Sequence, residues 1–126
     1  MLIDTDILVW YMRGNEKAKR VMENLKKFSI SVVTYIELLQ GLRNKEELNV
    51  LRNSLKQWNA EIIYINEEIS IKAMFLVEQY YLSHSIQLAD ALVGSTAVIN
   101  GLPLLTANTK HYKIIKNIIL KKFNPK

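Results

Sequence analysis

Short apolar runs alternate along this chain with longer stretches whose apolar residues recur every three or four positions. The runs LID (2–4), ISVV (30–33), EIIYI (61–65) and LPLLTA (102–107) read as strands, and NIILKKF (117–123) as a last, edge strand. Each of the first four runs is followed by a segment of helical period. The clearest are KEELNVLRNSLKQW (45–58), with Leu48, Leu51, Leu55 and Trp58 at helical spacing, and EEISIKAMFLVEQYYLS (67–83), with Ile69, Ala73, Leu76 and Tyr80 on one stripe. QLADALVGSTAVING (87–101) is apolar round most of its circumference and stops at Gly101 before Pro103, so it predicts a largely buried helix. Strands alternating with helices predict an α/β fold around a parallel sheet.

At 126 residues, 49% of them hydrophobic, the chain has the size and apolar content of one domain, taken as residues 1–126. It has no cysteine, which removes disulfides, thiolate metal sites and cysteine nucleophiles and fits a reducing compartment. No run approaches the roughly 18 apolar residues of a membrane span, and acids stand where a signal peptide carries lysines. A cytoplasmic location without a membrane partner is therefore expected. The net charge of +5 is unevenly spread: every acid lies at or before Asp90, and six lysines follow it. Such a one-sided positive segment attracts polyanions through phosphate contacts and counterion release.

The opening MLIDTDILVW places Asp4 and Asp6 inside a run that otherwise reads as buried. An ionised carboxylate there costs several kcal/mol unless it is paired or bound to a cation. Functional groups in open α/β sheets gather beyond the carboxyl ends of the strands. Asp4 follows the first strand, Glu37 lies about a turn into the helix after ISVV, and Asp90 opens the helix LADALVGSTA. All three are placed to share one sheet edge, where converging carboxylates repel unless a hard cation such as Mg²⁺ or Mn²⁺ neutralises them. Each acid also has a structural alternative. Thr34 and Glu37 match the spacing of a capping box, and Asp4 or Asp6 suits the N-cap of a helix starting near Ile7. Asp90, flanked by Leu88, Ala89, Ala91, Leu92 and Val93, has little solvent face available and asks for a partner.

Four segments in order, LIDTDILVWYMRG, SVVTYIELLQGLRN, LADALVGSTAVINGLPLLTAN and TANTKHY, resemble the PIN-domain ribonucleases, and among them the VapC-type toxins of toxin–antitoxin pairs. The resemblance implies a three-layer α/β/α sandwich with a mainly parallel sheet and a metal-dependent endoribonuclease site. It matches Asp4, Glu37 and Asp90 to the family's first three catalytic and metal-binding acids, with Mg²⁺ or Mn²⁺ as cofactor. It also implies an RNA substrate, a cognate VapB-type antitoxin and a homodimer. Asp6 matches an often polar neighbour of the first acid and reads either as the helix N-cap, preferred here, or as a group that supports the site acids from behind.

One departure stands out: the family's fourth acid commonly follows the fourth strand, where this chain offers Asn108 and His111 and no acid at all. Asn108 is then the candidate for orienting a metal-bound water, His111 reads as a surface residue with a ligand or general-base role as its alternative, and Thr106 is placed to donate to a phosphate or to Asp4. Lacking the fourth acid, the alternative function is a PIN-like RNA-binding protein with weak or no cleavage. The D-x-D opening also has the form of a phosphatase nucleophile motif, but the apolar DILVW that follows supplies no phosphate contacts. No G-x-G-x-x-G or P-loop occurs, which excludes a dinucleotide-binding domain. The apolar stretch ILVWYM exceeds what one buried helix face needs, and its remainder suits a groove for an antitoxin helix.

Overall fold

Leu2 and Ile3 are adjacent and both fully buried, yet they belong to different cores. The same is true of Leu104 and Leu105. Successive strand side chains point to opposite faces, so a strand buried on both sides must be covered by two layers of helices. The structure, a computed structural model that describes residues 1–126, has this three-layer form. In chain order it runs β1 (Leu2–Ile3), α1 (Thr5–Met12), α2 (Glu16–Asn24), β2 (Ser29–Ser31), α3 (Val32–Gln40), α4 (Lys45–Gln57), β3 (Glu61–Ile63), α5 (Glu67–His84), α6 (Leu88–Ile99), β4 (Leu104–Thr106), a 3₁₀ turn (Thr109–His111) and β5 (Leu120–Lys122). The sheet order is β3-β2-β1-β4-β5, and every pairing is parallel.

One core packs Ile3, Ile30 and Leu105 against Ile7 and Leu8 of α1, Ala18 and Met22 of α2, and Leu51 and Leu55 of α4. The other packs Leu2 and Leu104 against Ala73 and Leu76 of α5, Ala91, Val93 and Ala97 of α6, and Tyr112 and Ile115 beyond the 3₁₀ turn. Gly94 makes that second packing possible: a Cβ there would lie 2.3 Å from Ile115 Cδ1, so α6 approaches the 112–118 segment more closely than a side chain allows. No helix is long and apolar enough to cross a membrane.

The five expected strands are all present, but shorter than their apolar runs. ISVV is divided between two elements, because Ser31 Oγ accepts from Val33 N at 3.1 Å and caps α3 at once, turning Val32 and Val33 into helix. The segment after β4 is a single 3₁₀ turn rather than a further helix. The inner stripe of α5 is as expected, with Ile69, Ala73 and Leu76 buried. An opposite stripe of Ile71, Met74, Phe75, Tyr81 and Leu82 faces outward and is exposed.

Candidate active site

The first acid is fixed from both ends of the chain. Asp4 leaves β1 still in the ladder, its N–H donating to Leu105 O at 3.0 Å, and its Oδ1 accepts from Thr5 N at 2.8 Å as the N-cap of α1. Its other oxygen, Oδ2, accepts from Thr106 Oγ1 at 2.8 Å and from Tyr112 Oη at 3.0 Å. The carboxylate is 7% exposed. Burial, together with the charges of Asp4 and Asp90, pushes the Tyr112 phenol well up, which keeps it a donor.

The cap assignment therefore belongs to Asp4, not Asp6, and α1 begins at Thr5 rather than near Ile7. Asp6, one residue into the helix, reaches back across the sheet edge. Its Oδ2 accepts from Ala107 N at 2.9 Å and from Asn108 Nδ2 at 3.1 Å, at the end of β4. Its Oδ1 is buried with no partner. Burial, and then the charge of Asp4, push this carboxyl up to about 6.

Glu37 takes no part in a capping box. Ser31 caps α3, and Thr34 lies buried within the helix with its Oγ1 3.0 Å from Thr5 Oγ1. Thr5 Oγ1 donates to Glu37 Oε1 at 2.7 Å, so the residue after the first acid holds the second. Asp90, in the first turn of α6, is held less closely: His111 Nδ1 lies 3.7 Å from it, the Tyr112 hydroxyl also reaches it, and its side chain is 21% exposed. Burial raises its pKa, the adjacent His111 opposes this, and the charges of Asp4 and Glu37 add to the rise.

Asp4, Asp6, Glu37, Asp90, Asn108 and His111 all line one cleft of about 370 Å³, with Trp10 and Arg13 on its rim. The structure thus brings together every acid singled out in the sequence, together with Asn108, at the carboxyl ends of β1 and β4. The donors are hard oxygens, and the buried, unpartnered Asp6 Oδ1 together with the mutual repulsion felt at Asp90 is the chemistry that a divalent cation relieves. In chemistry the donor set suits such a group, although no three of these acids stand close enough together to hold an ion as they are placed.

The model of the PIN domain matches residues 1–117. The chain belongs to the PIN-domain family. Among its relatives, it is 34% identical over 122 residues to Ribonuclease VapC1 of Methanocaldococcus jannaschii, covering 96% of this chain and 85% of that one. It is 30% identical over 122 residues to Ribonuclease VapC10 of Mycobacterium tuberculosis, covering 94% and 90%. Its fold matches a chain of a toxin–antitoxin complex from Klebsiella pneumoniae with a TM-score of 0.74 and 28% identity, over 99% of this chain and 97% of that one.

In this PIN domain no acid follows β4, and the space beside Asn108 receives a carboxylate from α1 instead, that of Asp6. Two residues that sequence reasoning did not single out support the site. Thr5 fixes Glu37, and its signal was only its place between two acids. Tyr112 fixes Asp4 and belonged to the quoted TANTKHY segment, where its apolar ring reads as core.

Proposed function

We propose that this chain is a divalent-metal-dependent endoribonuclease and the toxin member of a toxin–antitoxin pair. The observation that carries this is the convergence of Asp4, Glu37 and Asp90 on one cleft in a PIN domain, supported by its likeness to proteins named as VapC ribonucleases. Asp4 and Asp90 would be direct ligands, with Glu37 a third ligand or the group that holds the attacking water. A Mg²⁺ or Mn²⁺ ion in this cleft would supply an activated water and offset charge on the scissile phosphate. Thr106 and Tyr112 keep the Asp4 carboxylate aimed into the cleft, and Thr5 does the same for Glu37. Asn108 gives its amide N–H to Asp6, which leaves its carbonyl oxygen free to accept from a water. Hydrolysis by water leaves the phosphate on the 5′ side of the downstream fragment.

The Klebsiella relative was solved as a toxin–antitoxin complex, and a groove suited to an antitoxin helix is present here. About 610 Å³ in volume, it is lined by Leu8, Tyr11, Met12, Val50, Leu51 and Trp58. For the homodimer that the resemblance implies, the outward stripe of α5 offers an apolar surface, where Ile71, Met74, Phe75, Tyr81 and Leu82 fall within one arc of the helix.

The test is cleavage of total cellular RNA by the partner-free chain in Mn²⁺ or Mg²⁺ and in EDTA. Discrete fragments that disappear with EDTA and in Asp4→Asn and Asp90→Asn are expected, with losses of at least about 10³-fold. RNA binding without cleavage in every condition would replace this reading with that of an RNA-binding module.

A further inference from the structure

A second cleft, about 630 Å³ in volume, opens beside the acid cleft and shares Asp90 and His111 with it. We infer that this cleft seats one unpaired nucleotide adjacent to the cleaved phosphate, with Lys110 and Lys113 holding its phosphate and Gln87 reading its base. The inference rests on the nuclease reading above and extends it to how the substrate is selected.

The cleft lies where the end of α5 meets the start of α6 and the 110–114 segment. Its volume falls within the range of about 300–1,000 Å³ usual for small-ligand sites, and only two of its nine lining residues, Ile86 and Ile114, are hydrophobic. The polar groups are of two kinds. Lys110 and Lys113 supply positive charge, and Asp90, on the shared wall, is the one acid lining it. An anion is therefore favoured at the lysine side, and the acid marks the side where the scissile phosphate meets the catalytic carboxylates.

Two further lining groups, Gln87 and His84, are held in place with hydrogen-bonding capacity left unused. Ser85 adopts a left-handed conformation (φ 50°), which ends α5 and turns the chain within two residues into α6. Gln87 Nε2 donates to Ser85 O at 3.1 Å, which fixes the amide and leaves its Oε1 as a free acceptor. His84 is fixed twice: its Nδ1 is 2.6 Å from Ser83 Oγ, and its ring meets Tyr80 edge-on at 5.6 Å between centroids. Its Nε2 and ring face stay available. An oriented amide acceptor, an imidazole and two ammonium groups match a nucleotide, which presents base-edge donors, a π face and phosphate charge together. In a duplex those base edges are turned inward, so the cleft selects single-stranded or looped RNA.

The test uses a fluorescein-labelled, mixed-sequence, single-stranded RNA oligonucleotide in EDTA, where binding is read without cleavage. The Lys110→Ala/Lys113→Ala double variant is expected to bind more weakly, with the slope of log K against log salt shallower by about 0.7, the value for one phosphate no longer neutralised. Its Mn²⁺ affinity, read by calorimetry, should match the parent chain, showing an intact acid cleft. Gln87→Ala should keep the parent's salt slope while the ends of the fragments cut from total RNA, read by sequencing, shift in base preference. An unchanged slope in the double variant, or unchanged fragment ends in Gln87→Ala, overturns the assignment of the corresponding residues and with it the nucleotide seat. A parent chain that cuts no RNA in Mn²⁺ overturns the nuclease reading, while the binding slopes still decide the seat.

Discussion

The two halves of the acid cleft are built differently. Asp4 and Asp6 are held by hydrogen bonds from the far end of the chain: Thr106, Ala107, Asn108 and Tyr112 all donate to them. Glu37 and Asp90 stand on helices with less to fix them, one hydroxyl in the first case and, in the second, an imidazole at 3.7 Å and a share of the Tyr112 hydroxyl. A site made of one rigid wall and one loosely held wall can keep a ligand position fixed while the opposite acids adjust to substrate. Preorganised groups lose least on binding, so the rigid wall should carry the larger share of metal affinity.

The sharpest way to break this comparison is to strip the rigid wall. Thr106→Val with Tyr112→Phe leaves Asp4 Oδ2 without its two side-chain donors. The pair should lower Mn²⁺ affinity, measured by calorimetry, by about 10–100-fold, as loss of the groups that orient a ligand typically does. It should also lower stability in urea by about 3–6 kcal/mol, at about 1.5–3 kcal/mol for each of the two hydrogen bonds to a charged group. On the loose wall, Thr5→Val frees Glu37 and should cost less than about 10-fold in cleavage with Mn²⁺ affinity little changed. Equal damage from the two walls would mean that the asymmetry has no functional weight.

A smaller effect separates the acids by pH. Asp6, pushed up to about 6, keeps its proton when folded over a range in which the unfolded chain has already released it. The stability this gives the metal-free chain is fully present below about pH 4, the ordinary range of an aspartate, and is lost as pH rises through about 6. Urea midpoints across that window should fall with rising pH. Asp6→Asn should flatten the fall only in part, since the Asp90 pKa is raised in the same direction, and Mn²⁺ should flatten it in the parent chain by favouring the ionised acids. A midpoint that rises with pH would contradict this burial of Asp6.

How much of this was legible in the sequence depended on whether its cause was local. The helices of regular period were legible, because Leu51, Leu55, Ile69, Ala73 and Leu76 repeat at the spacing that buries one face. Strand limits were not, because β1 to β5 span only two or three residues each and their ends are set by caps such as Ser31. Asp4, Glu37 and Asp90 were placed at one sheet edge by their positions at strand and helix ends, and Asn108 joined them only through the family resemblance. The hydrogen bonds that fix them were not legible, since no pattern in residues 1–12 shows that Asp4 will meet Thr106 and Tyr112. The double apolar character of α5 was overlooked for another reason: one stripe was enough to explain its helical period, and the second, at Ile71, Met74, Phe75, Tyr81 and Leu82, has the same spacing.

Those bonds to Asp4 also set an order of events during synthesis. Asp4 is made well before Thr106 and Tyr112, which fix its carboxylate and follow 102 and 108 positions later. β4, which pairs with β1 in the middle of the sheet, arrives with them. A growing chain that still lacks this last segment has its acids but not the wall that aims the first of them. The cleft is thus completed only after residues 104–112 have been made, later than every residue that lines the apolar groove between α1 and α4.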